Sequence, residues 1–163
     1  MDNETLNQND SYLTFKVGGE NFAASVSKVL NILEMSKITK VPQAPQYMLG
    51  VINLRGQVLP VIDSRIKFGM PVSEITKNSF IIVIEVLIDE RDVQLGALVD
   101  SVNEVLEVDK KDILPPPSIG NRFKTDFISG VINVNNDFTM LLDIDKAFST
   151  DEILPFHKEA EIN

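Results

Sequence analysis

The chain has no cysteine and a single histidine, His157. Without thiols it can form neither a disulfide nor a thiolate metal site, which fits a cytoplasmic protein. One histidine builds no metal cluster, and His157 stands in an acidic terminal stretch where it is expected to be exposed and idle. No GxSxG turn and no glycine-rich phosphate loop occurs, so nucleophilic, metal and nucleotide chemistry all lack parts. Long apolar runs are missing too. The longest, Phe80–Ile88, is broken by Glu85 and falls far short of the roughly eighteen residues that cross a bilayer. The opening MDNETLNQND is acidic and polar, the opposite of a signal peptide. No Lys/Arg stripe exists to replace phosphate counterions, so nucleic acid is not an expected partner. The net charge of -9 does not offset this: -6 of it comes from residues 1–10 and 151–163, and only -3 falls on residues 12–150. The two ends therefore read as solvated acidic tails, 1–10 and 151–163, the second with a terminal helix as one option.

What the chain does have is repetition. Gly50–Phe68 (GVINLRGQVLPVIDSRIKF) lies without a gap over Gly130–Phe148 (GVINVNNDFTMLLDIDKAF), with identities at Gly50/Gly130, Val51/Val131, Ile52/Ile132, Asn53/Asn133, Asp63/Asp143 and Phe68/Phe148. Upstream, Phe22–Met35 lies over Leu95–Val108 at an offset of 73, against 80 for the first match. The difference of seven residues places an insertion between Pro115 and Gly130. Its run Pro115-Pro116-Pro117 reads as a surface loop, because proline cannot donate to a sheet. The chain is thus two copies of one small β unit, and the seam between copies is a natural binding place.

Ser11–Val17 alternates as a half-buried strand, and Gly18-Gly19-Glu20 turns it into a second strand at Asn21–Ala24. Ser25 is a candidate cap for a short helix, since Val26, Val29, Leu30 and Leu33 fall at helical spacing. Ile38–Val41 is again β-like. Met48–Leu54 and Gln57–Ile62 form a hairpin around Arg55-Gly56, and Asp63 caps a single helical turn ended by Gly69. Pro60 predicts a free side on its strand. Phe80–Ile88 reads as a strand buried on both faces, followed by a turn at Asp89-Glu90-Arg91 and a strand at Asp92–Leu98. A helical turn near Val99–Val102, a strand at Glu104–Val108, the hairpin around Asn135-Asn136 and a turn capped by Asp143 complete the second copy. The pattern predicts a mainly β protein: two small barrels sharing a core along their seam.

Two chemical readings arise. Asp63 and Asp143 are repeat-related, so a twofold could pair them as an aspartic-hydrolase dyad. Neither is followed by the glycine such a loop needs, and N-capping explains both. Arg55 sits at a hairpin tip, where a fixed guanidinium can meet a partner's carboxylate or a helix C-terminus.

Gly50–Gly69, with Asn53-Leu54-Arg55-Gly56 and Leu59-Pro60-Val61-Ile62-Asp63, together with Leu95–Val102, Val105–Val108 and Leu114-Pro115, resembles the CheW family of chemotaxis coupling proteins. The resemblance covers about residues 11–150. It implies two five-stranded SH3-like barrels related by a pseudo-twofold, and a non-catalytic adaptor without cofactor. One barrel would bind the regulatory domain of the histidine kinase CheA. The groove between barrels would take the helical hairpin tip of a methyl-accepting chemoreceptor, which recruits the protein to membrane arrays without insertion. The resemblance assigns contacts to Arg55, flanked by Leu54 and Gly56, and to the apolar groove positions Val29 and Ile32; Val105 is a further residue expected against the docked helix. Asn31 departs from the glutamate usual there, and Ala23 stands where glycine is common. The rival readings are the Asp63/Asp143 hydrolase and a CheW-like adaptor for a non-chemotaxis kinase.

Overall fold

The computed structural model describes residues 9–71, 74–116 and 126–149. The C-terminal tail, His157 and most of the proline insertion lie outside them. Ten strands form, in chain order: β1 (Asn9–Val17), β2 (Glu20–Ser25), β3 (Val29–Glu34), β4 (Met48–Leu54), β5 (Gln57–Asp63), β6 (Phe80–Ile88), β7 (Arg91–Val99), β8 (Ser101–Asp109), β9 (Ile128–Val134) and β10 (Asp137–Leu142). Helical turns α1 (Ser64–Lys67) and α2 (Ile144–Phe148) follow β5 and β10. The first strand starts at Asn9, so the acidic tail gives way to structure before residue 10.

The strands make two five-stranded sheets with orders β8-β1-β2-β10-β9 (sheet I) and β3-β6-β7-β5-β4 (sheet II). The repeat maps β1–β5 onto β6–β10, and it turns one order into the other strand by strand. The copies are therefore interlocked. Sheet I takes β1 and β2 from the first copy and β8, β9 and β10 from the second; sheet II does the reverse. Two parallel pairings close the exchange, Val61↔Gly96 through Asp63↔Leu98 and Met140↔Phe22 with Leu141↔Ala23. A barrel is thus not a copy: each SH3-like barrel is built from both.

The run Phe80–Ile88 shows why this sequence needs two interiors. Ile81 and Val83 point into the sheet II barrel with Ile52, Leu59, Val61 and Leu98. Ile82, Ile84, Val86 and Ile88 point the other way, into a core shared with Leu13, Phe15, Phe22, Leu95 and Phe148. A central strand buried on both faces has no polar side to show. The sheet I barrel closes on a smaller interior of Ala23, Val108, Ile132 and Leu141.

Each repeated identity has one job, done twice. A Cβ on Gly50 would strike the carbonyl of Thr39, and one on Gly130 would lie 3.1 Å from that of Leu114. These are the residues that cross the strand at the bridges Thr39↔Val51 and Leu114↔Val131. Asn53 Oδ1 accepts from Gly56 N at 2.7 Å and Asn133 Oδ1 from Asn136 N at 3.0 Å, locking two hairpin turns. Phe68 and Phe148 meet each other across the seam, ring centroids 5.8 Å apart, so the pseudo-axis passes between them.

Three expectations need correction. Ser25 does cap, accepting from Ser27 N at 3.3 Å, but the helix stops after the 3-10 turn Val26–Lys28. The apolar residues beyond it become β3, because pairing with β6 from Val29↔Ile84 to Glu34↔Phe80 outweighs a short run of helical spacing. The Val99–Val102 turn is not helical: β7 and β8 meet at Asp100 alone. The strand β5 with its Pro60 is not an edge, since it lies between β7 and β4. Val51 N and O both bond Thr39, so the Val51–Pro60 pair needs no N–H from proline. Pairing to β7 starts one residue later, at Val61, whereas the repeat mate Met140 pairs directly with Phe22. The free side is one position, not one strand.

Candidate functional site

Asp63 caps α1 with Oδ1 accepting from Arg65 N at 3.0 Å, and its carboxylate also accepts from Arg65 Nε and Nη2, each at 3.0 Å. The pair is buried, with 1% and 3% of the two side chains exposed. Hydrogen bonding to Asp63 raises the Arg65 pKa above its ordinary value; burial opposes this, and the charges of Asp63 and Asp100 add to it. Asp143 caps α2, accepting from Lys146 N at 3.1 Å. Each aspartate is engaged by its own turn, and Asp63 by a buried guanidinium. The dyad reading fails on that geometry.

Arg55 projects from the β4–β5 turn, where φ of 54° at Arg55 and 84° at Gly56 make the tight turn that suits the strand twist. Arg55 and Gly56 are exposed, while Leu54 is half-buried against the sheet II interior and serves packing. No carboxylate pairs with Arg55 among the described residues. Its repeat mate Asn135, at φ 53°, holds the same turn without the charge.

Val29 and Ile32 lie on β3, the edge strand of sheet II. Strand alternation alone would put residues three apart on opposite faces. A bulge after Val29 removes that conflict: Val29 pairs with Ile84, and Asn31, Ile32 pair with Val83, Ile82. Both residues therefore share the face of Ile82 and Ile84, which is the face turned to the shared core. Val29 packs against that core, and Ile32 stays 41% exposed. Sheet I repeats the arrangement on its own edge strand, β8. Val102 pairs with Phe15 and Val105 with Leu13 across another bulge; Val102 packs on the shared core and Val105 is 57% exposed. The offset of 73 carries Val29 to Val102 and Ile32 to Val105. Sequence reasoning named three of these four and missed Val102, although the repeat offset points to it. Asn31 faces the sheet II interior side, its Oδ1 accepting from Ile32 N at 2.8 Å.

A cleft of about 650 Å³ lies between β8 and β9, with Leu106, Ile132 and Val134 inside and Glu107, Asp109 and Asp112 among its walls. No group of His, Asp or Glu fit to hold a metal occurs among the described residues, and no helix there is long and apolar enough to cross a membrane.

The comparisons with known proteins agree with this architecture. The CheW-like domain family matches residues 11–152. The chain is 36% identical over 140 residues to the chemotaxis protein CheW of Rhizobium meliloti, covering 86% of this chain and 88% of that one. It is 36% identical to the CheW of Bacillus subtilis, covering 82% and 83% of the two chains. The crystal structure of the scaffolding protein TtCheW from Thermoanaerobacter tengcongensis superposes with a TM-score of 0.76 at 28% identity, over 88% of this chain and 95% of that one. Extent, identity and fold lead to one conclusion: the chain belongs to the CheW-like domain family.

Proposed function

We propose that the chain is a non-catalytic scaffold of the cytoplasm that couples methyl-accepting chemoreceptors to the histidine kinase CheA. The observation that carries this reading is the doubled apolar edge, Val29 with Ile32 and Val102 with Val105. Each pair is anchored in the shared core at one residue and offered to solvent at the other. An amphipathic helix recognises its partner through a few apolar anchors, and two such edges suit the paired helices of a receptor hairpin tip. Arg55, rigid at its turn and without an internal partner among the described residues, supplies a charge-assisted contact to the complex. The names of the relatives support chemotaxis as the pathway.

The test is reconstitution with CheA and a receptor fragment, following binding and kinase activation. Ile32→Asp should weaken receptor binding while CheA binding stays. Equal, undiminished binding by Ile32→Asp and Val105→Asp would remove the edges from the site. Binding to a different kinase in place of CheA would favour the non-chemotaxis adaptor.

A further inference from the structure

One carboxylate ties the start of β3 to the other copy. Both oxygens of Asp145 lie 3.0 Å from Lys28 Nζ, and Oδ1 also accepts from Leu87 N at 2.8 Å. Asp145 belongs to α2, Leu87 to β6 and Lys28 to the turn that enters β3. Lys28 immediately precedes Val29. Just beyond, the bulge interrupts the ladder to β6, so the first residues of this edge strand are held less by pairing than the rest.

The repeat shows that this link is not an isolated surface pair. Position 145 is the mate of position 65, where the first copy carries Arg65. Arg65 of α1 feels the charge of Asp100 as well as its bonds to Asp63. Asp100 forms the corner from which β8 starts, as the turn containing Lys28 is the corner from which β3 starts. In both halves the helical turn of one copy therefore faces, with opposite charge, the corner leading into the other copy's apolar edge. The signs are reversed between the halves. The Arg65 side is buried, whereas Lys28 and Asp145 remain 31% and 32% exposed.

We propose that Asp145 is a positioning residue for docking: by pinning Lys28 and Leu87 it fixes the corner before β3 and so sets Val29 and Ile32 on the face that meets a partner helix. This rests on the receptor-coupling reading above. Asp145→Asn separates the two bonds, since its amide oxygen still accepts from Leu87 N while the charge opposite Lys28 is lost.

The experiment uses the full chain as wild type, Asp145→Asn, Lys28→Met and the swap Lys28→Asp/Asp145→Lys. It measures affinity for a receptor-tip helical hairpin at low and high salt, CheA binding, and amide exchange at residues 29–31. Expected is a loss of about three- to thirty-fold in receptor affinity for either single variant. CheA binding and melting should be unchanged, exchange at 29–31 faster, and affinity less dependent on salt than in wild type. The swap should regain part of the affinity, not all, because a lysine cannot accept from Leu87 N. Wild-type affinity retained by both single variants overturns the docking role. Unchanged exchange overturns the positioning itself, whatever the affinities. Failure of the wild type to bind the hairpin would instead sink the receptor-coupling reading, and the exchange data would still decide whether Asp145 holds the corner.

Discussion

Substituting asparagine at the two repeat-related aspartates should give very different results. At Asp143 the carboxylate only caps α2, and asparagine caps about as well as aspartate, so Asp143→Asn should cost less than about 0.5 kcal/mol. At Asp63 the same change keeps a capping oxygen but removes the charge facing Arg65, whose side chain is 3% exposed. Breaking one partner of a buried ion pair typically costs about 3–5 kcal/mol. Asp100 still acts on Arg65, which puts the expected loss for Asp63→Asn near the lower end, about 3 kcal/mol. That is a large part of the roughly 5–15 kcal/mol by which such domains are stable. Urea unfolding followed by circular dichroism reads both numbers, provided the slope with denaturant stays constant. Adding Arg65→Met to Asp63→Asn should recover most of the loss, because the stranded charge is then gone. Equal, small losses at the two positions would refute the reasoning, and would mean that water reaches Arg65.

Arg55→Ala should melt like wild type, within about 0.5 kcal/mol, yet lose about 1.5–3 kcal/mol of binding where receptor and kinase are coupled; kinase activation in the reconstituted complex checks it. Ile32→Asp and Val29→Asp should separate: the first leaves the fold intact and weakens docking, while the second costs about 1–3 kcal/mol of stability because Val29 packs on the shared core. Thermal melts alongside receptor titrations distinguish them. Burial, and secondarily the charge of Asp10, raises the Tyr12 phenol above its ordinary value. The unfolded chain therefore gives up this proton first, near pH 10, and stability falls as pH rises from there toward the folded value. Tyr12→Phe should flatten that alkaline part of a urea-midpoint profile, above about pH 9.

The repeat was legible because its identical residues face identical local demands. Gly50 and Gly130 lie under a crossing chain, Asn53 and Asn133 lock a turn, and Asp63 and Asp143 cap one. Such demands act within a few residues, so the pattern along the chain records them. The interlocking was not legible, since the parallel pairings of β5 with β7 and of β10 with β2 join distant strands and leave no local trace. The segment 25–34 was misread for a different reason. A bulge shifts strand parity by one, and a strand with a bulge places residues three apart on one face, as a helix does. The resemblance, not the spacing of Val26, Val29, Leu30 and Leu33, put Val29 and Ile32 together, and the bulge sets both on one face of β3. Burial of Arg65 left no signal either, because the positions around it look like any capped turn.

Duplication explains the architecture, and divergence between the copies makes the two halves chemically distinct. A perfectly symmetric pair of barrels would offer each partner two equivalent sites. Here the symmetry is broken at polar positions: Arg55 against Asn135 at the hairpin tips, Asn31 against Glu104 at the bulges, and Arg65 against Asp145 in the helical turns. The apolar pairs on β3 and β8 are retained in both copies, so the two edges stay alike while the polar surroundings differ. Reversing the sign between Arg65 and Asp145 also has a folding consequence. The α1 turn carries a cation at the position where α2 carries an anion, so docking either turn on the wrong corner would set Arg65 against Lys28 or Asp145 against Asp100. Like charges brought that close would disfavour the wrong pairing.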